Sequence, residues 1–201
     1  MKMARPVLVA AGILLALPLV SLSALPVAPA VVPPDTQASH TAHAAATDGG
    51  LVSIVQTVTR PLMDVAAAID AGYGPFLGCV SGTQEGAMGV HYVNTDFVFD
   101  GKLDAEHPES LMYEMRDGRL DLLGVEYLVL VKAWHKNNKQ PPTLNGQVFT
   151  YNGSPNRYGL DPFYALHVWA WRDNPHGTFV DWNPQVSCEG SHQIRKPQRS
   201  T

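Results

Sequence analysis

Three residues of metal-ligating type stand in otherwise apolar stretches: His91 in Gly89-Val-His-Tyr-Val93, Glu126 in Leu120–Val131 and His167 in Phe163–Trp171. An isolated carboxylate in such surroundings is costly, so it must be neutralised, paired or bound to a cation. Two imidazoles and one carboxylate on rigid strands form the ligand set of mononuclear non-haem iron sites, and of zinc sites that keep a water. The implied cofactor is one divalent metal ion, with an open position for water or substrate. Tyr92, Tyr127 and Trp169, next to these residues or two beyond, are expected to line the pocket with apolar bodies and polar tips.

The spacing contains no H-E-x-x-H, H-x-x-x-H or H-x-E pattern. Convergence of His91, Glu126 and His167 therefore depends on how three separate strands pair. The competing reading is structural: a buried His–Glu hydrogen bond, with the second imidazole satisfied by a backbone carbonyl. Two functional readings follow. In the first the protein binds a small ligand or a metal ion in this pocket. In the second it is a metal-dependent enzyme of water-activating or non-haem iron type, using the same three residues as ligands.

The elements that must place these residues read as β-structure from Cys79 onward. Expected strands are 90–94, 97–99, 111–115, 120–131, 147–151 and 163–171, separated by Gly, Pro, Asn and Asp clusters. Asp117-Gly118 between alternating residues predicts a two-residue hairpin turn. In that register Glu114, Arg116, Arg119 and Asp121 share one face, with diagonal opposite-charge pairs. Tyr113, Met115, Leu120 and Leu122 share the other, core-facing one. Counting onward by twos puts Glu126 on that core side with Leu128 and Leu130, unless Gly124 marks a bulge that shifts the register. Leu51 to Ala71 reads as helical, with Leu51, Ile54, Val55 and Val58 as its stripe and Thr59 capping a second turn. The expected fold class is α+β, mainly antiparallel β in a curled sheet or small barrel, with an N-terminal helical segment.

The 201 residues, 45% hydrophobic and 16% charged, suit one globular domain rather than a disordered chain. The formal charge of −4 and the lack of a basic stripe argue against nucleic acid as a partner. Lys2 and Arg5 followed by the uncharged run from Val7 to Leu25 read as a signal peptide over residues 1–30. Pro18 and Pro26 interrupt that run and no basic stop-transfer cluster follows, so no integral membrane segment is expected in the mature chain. Removing residues 1–30 takes away two cations and no acid, from −4 to −6. Residues 31–50 read as a flexible linker, 51–190 as one β-rich domain and 191–201 as a disordered tail. The expected location is periplasmic or extracellular, where Cys79 and Cys188, the only two cysteines, would pair.

Several motifs together resemble a family of small exported bacterial proteins of unassigned function. They are Ala71-Gly72-Tyr73 with Cys79, Gly86-Ala-Met-Gly-Val-His-Tyr-Val93, Leu103-Asp104, Pro108-Glu109, Tyr113-Glu114 and Gly124-Val-Glu-Tyr127. Leu166-His-Val-Trp169, Asn174-Pro-His-Gly177, Phe179, Trp182-Asn-Pro184 and Cys188 complete them. The resemblance runs from Ala66 to Cys188. It implies no activity, substrate or partner, and its pattern includes His91, Glu126, His167 and both cysteines.

Overall fold

The computed structural model describes residues 50–191. The expected signal peptide, the linker before Gly50 and the tail from residue 192 lie outside them. Residues 50–59 form helix α1, and Gly50 is already helical. Leu51, Val55 and Thr59 recur every four residues and are fully buried, so one stripe of α1 faces the core. A 3₁₀ turn, Arg60–Leu62, follows, with Pro61 supplying a fixed φ. Helix α2, Val65–Asp70, is capped by Asp64, whose side chain accepts from the Ala66 N–H. This corrects the expectation of a Thr59 cap. The Thr59 hydroxyl instead donates to the Val55 carbonyl and accepts from the Trp171 indole.

The strands are β1 Gly74–Ser81, β2 Ala87–Val93, β3 Ser110–Arg116, β4 Arg119–Leu130, β5 Thr143–Leu144, β6 Gln147–Val148, β7 Thr150–Asn152 and β8 Phe163–Val168. Six make one curled antiparallel half-barrel sheet in the order β1-β2-β3-β4-β8-β7; β5 and β6 form a separate ribbon. The fold is thus α+β and mainly β. Two short helices complete it: α3, Thr95–Asp100, and α4, Val131–Trp134. Residues 97–99, expected as a strand, lie in α3, because Asn94 accepts from the Asp96 N–H and starts a helix there.

Asp117 and Gly118 both have positive φ, 50° and 79°, as the expected hairpin turn requires. The charged residues beside it pair along each strand rather than diagonally. Arg119 binds Asp121 at 2.8 Å, and Arg116 lies 3.9 Å from Glu114. Glu114 also accepts from Arg172 and from the Ser187 N–H, which ties the C-terminal loop to the sheet.

Each face of the sheet carries a different load. One face holds the main core: Val90, Tyr92, Leu111, Tyr113, Leu122, Val125, Tyr127, Val129, Leu166 and Val168, with Leu51 and Val55 of α1 in the same cluster. Three buried tyrosines donate their hydroxyls to backbone carbonyls outside the sheet, Tyr73 to Pro108, Tyr113 to Leu62 and Tyr127 to Ala105, so their polar tips are satisfied. The other face carries two smaller clusters. Ala87, Met112, Leu123, Trp169 and Val186 form one; Val98, Leu128, Phe163 and Ala165 form the other.

A register shift between Met112 and Tyr113 of β3 explains how β4 serves both faces. Met112 pairs with Gly124 and Tyr113 with Leu122, so Leu123 is the extra residue. Beyond this bulge the alternation reverses. Val125, Tyr127 and Val129 take over the main core, and Glu126 turns to the opposite face. Leu128, expected in the main core, follows Glu126 across. Cys79 and Cys188 form a disulfide that joins β1 to the segment after the last strand.

Candidate metal centre

Strand pairing sets His91, Ser110, Glu126 and His167 on one face. His91 pairs with Met112 and Val93 with Ser110, so His91 and Ser110 are two residues apart on that face. Ser110 pairs with Glu126, and Glu126 with His167. The three candidate ligands therefore come from β2, β4 and β8, and β3 places Met112 beside His91 and Ser110 beside Glu126.

The His91 Nε2 lies 3.6 Å from Glu126 Oε2, and the His167 Nε2 lies 3.9 Å from Glu126 Oε1. The imidazole rings are 6.1 Å apart and nearly perpendicular. Both gaps exceed hydrogen-bond length. Neither ring nitrogen of His167 has a hydrogen bond, although the ring is buried. One donor atom from each residue lies within 4.8 Å of the other two. Any three such atoms fit inside a sphere of radius 4.8/√3, about 2.8 Å, whereas zinc–ligand bonds are about 2.0–2.2 Å. An inward movement of less than about 1 Å per side chain closes the difference. This buried His91, Glu126 and His167 cluster could hold a metal ion.

The outer partners suit that role. The Gly89 backbone beside the His91 ring favours its protonated form, against the larger effect of burial. Burial, reinforced by His167, pushes His91 down to about 3, so it is neutral at physiological pH and has a free lone pair. The His167 Nδ1 lies 3.2 Å from Asp181 Oδ1, somewhat off the N–H direction. A carboxylate behind a ligand imidazole is the usual outer partner in metal sites, where it raises the basicity of the ring. Burial pulls His167 downward, but Glu126 and Asp181 together outweigh it, and the net direction is up. Burial moves the Glu126 carboxyl up, and Asp181 adds to this against the opposing pull of His167.

Asp181 carries no signal in the sequence, because it lies in a loop between turn residues. Its neighbours fix that loop: the Trp169 indole donates to the Val180 carbonyl, and Asn174 to that of Trp182. Glu109 was also missed. It is 2% exposed, and its Oε2 accepts from the Leu128 N–H across the sheet. Burial pushes it up to about 8.

A cavity of about 100 Å³ opens beside the cluster. His91, Glu126, Glu109 and Ser110 supply its polar lining; Phe76, Leu77, Val93, Val98, Phe99, Leu128 and Phe163 are among its apolar walls. Tyr92, Tyr127 and Trp169 do not line it. Tyr92 and Tyr127 follow His91 and Glu126 by one residue, so strand alternation sends them into the main core. Trp169, just past the end of β8, packs with Met112 and Leu123. Among the described residues, no helix is long and apolar enough to cross a membrane. The disulfide fits an exported protein. No protein-family model, curated protein or solved structure matches this chain, so the site is read from its own residues.

Proposed function

We propose that the protein binds one divalent first-row transition-metal ion through His91 Nε2, His167 Nε2 and the Glu126 carboxylate. One observation carries the reading: two buried imidazole nitrogens face one carboxylate at distances too long for hydrogen bonds. A cation between them satisfies all three at once, and Asp181 behind His167 completes the arrangement. Imidazole with carboxylate suits zinc, cobalt or iron better than magnesium or calcium.

The cavity favours a second reading. It borders His91 and Glu126, so an ion there would keep a position open toward it. Such an ion could activate water or polarise a bound molecule, which would make the protein a metal-dependent enzyme.

Equilibrium dialysis against cobalt(II), with elemental analysis and visible spectroscopy, tests the metal reading. One ion per chain is expected, with visible d–d bands that free cobalt(II) in the same buffer does not show. Glu126→Gln and His167→Gln should abolish it while far-UV circular dichroism stays unchanged. Asp181→Asn should weaken it about 10- to 100-fold. Folded wild-type protein that takes up no ion would contradict the reading. So would variants that change only the melting temperature.

A further inference from the structure

We propose that the cavity takes a monocarboxylate with an apolar chain, its head at the ion and its chain leaving past Leu77 and Phe99. This rests on the metal reading above and names the ligand class of the same site.

An ion held by Glu126 and two imidazoles has three protein ligands and an open position toward the cavity, which a carboxylate oxygen fills. The second observation is Ser110. Its hydroxyl is buried, has no hydrogen-bond partner and lines the cavity beside Glu126. A hydroxyl can donate one hydrogen bond and wants an acceptor. A carboxylate head offers two oxygens, one for the ion and one for Ser110.

Size and surface settle the rest of the ligand. At about 100 Å³, below the roughly 150 Å³ of a site that takes up benzene, the cavity has room for a head group and the first carbons only. A longer chain must leave. Leu77 and Phe99 line the cavity and are also 48% and 67% exposed, so they form its outer edge. Leu77 sits in the irregular part of β1 between Phe76 and Cys79, with φ at 59°. The ladder is interrupted there, and Leu77 stands at the cavity edge. An apolar lip of this kind suits a hydrocarbon chain.

Titration of the cobalt(II)-loaded protein with hexanoate, acetate and hexan-1-ol, followed in the visible bands, tests this. Hexanoate should perturb the bands saturably, with a Kd at least about tenfold below that of acetate, because part of its chain is buried. Hexan-1-ol should leave the bands unchanged at the same concentration. Ser110→Ala should raise the hexanoate Kd about fivefold or more, the loss of one hydrogen bond to a charged group. Phe99→Asp, at an exposed helix position, should weaken hexanoate and leave acetate unchanged. Equal affinities for hexanoate and acetate would overturn the chain site. Binding of hexan-1-ol as tight as hexanoate would overturn the carboxylate head. Cobalt bands that no carboxylate disturbs would overturn the ligand class and leave the metal reading standing. Absence of cobalt bands would remove both.

Discussion

Burial acts on each ionisable group near the cavity in a direction that can be checked. Glu109 is the clearest case, because its carboxyl is pushed from 4.5 up to about 8 by burial. The folded state therefore holds this proton more tightly than the unfolded chain does. Below about pH 4.5 both states are protonated and the group costs nothing. Between about 4.5 and 8 the unfolded chain ionises first, so stability falls as pH rises, by at most about 1.4 kcal/mol per unit. Above that window the loss is complete. His91, lowered from 6.5 to about 3, acts in the opposite sense: its contribution is present above about 6.5 and lost as pH falls toward 3. Glu109→Gln keeps an oxygen for the Leu128 N–H and removes the titration. Urea unfolding of metal-free protein between pH 5 and 8 should show stability relative to the wild type rising with pH in the variant. A constant difference would contradict the account. His91, Glu126 and His167 were legible in the sequence because each interrupts an apolar strand. Asp181 and Ser110 were not, since a loop aspartate and a strand serine look ordinary until pairing places them.

Strand register decides which side chains reach the cavity. The Asp117-Gly118 turn fixed the β3–β4 register at its near end, and the sequence carried that signal plainly. Counting by twos from there put Glu126 on the wrong face, because Leu123 is an unpaired extra residue. Gly124 offers a bulge in the sequence, but nothing local chooses between a straight and a bulged strand. The choice is made by β8. A side chain at Gly124 would run into the Val168 carbonyl of that strand, and the Trp171 N–H donates to the Leu123 carbonyl alongside. Glycine is needed there for close backbone approach rather than for an unusual φ. Gly124→Ala should push β8 away from β4, at a cost of about 1–3 kcal/mol. The cobalt affinity should fall with it, because the Glu126–His167 pairing lies two residues on. Urea denaturation and cobalt dialysis on one preparation check both effects; unchanged stability would show that β8 does not hold the register. Residues 97–99 differ from their strand-like composition for a related reason. Phe97, Val98 and Phe99 look like a strand by type, yet the Asn94 cap makes them helical and places Phe99 at the cavity edge.

The described residues form a sheet with a conventional core on one face and a polar cluster on the other. Helix α1 was visible from its apolar spacing and serves the first face. Beside the second face run the loop that carries Asp181 and the segment ending at Cys188. The Cys79–Cys188 disulfide closes 109 residues of chain, worth about 4–5 kcal/mol in a chain-entropy treatment. A Cys79→Ser/Cys188→Ser double variant should lose up to about that much stability in urea. It should also lose hexanoate affinity more than cobalt affinity, since Cys79 lies two residues from Leu77. Equal stability with and without the bridge would contradict this. At the centre of the polar face, one ion would sit among three side chains from three strands. Anomalous X-ray scattering at the zinc edge, from crystals of the protein loaded with zinc, observes that directly. An anomalous peak is expected within bonding distance of His91 Nε2, His167 Nε2 and a Glu126 oxygen. Zinc found elsewhere, or a Glu126 carboxyl hydrogen-bonded straight to an imidazole with no ion between, would contradict it.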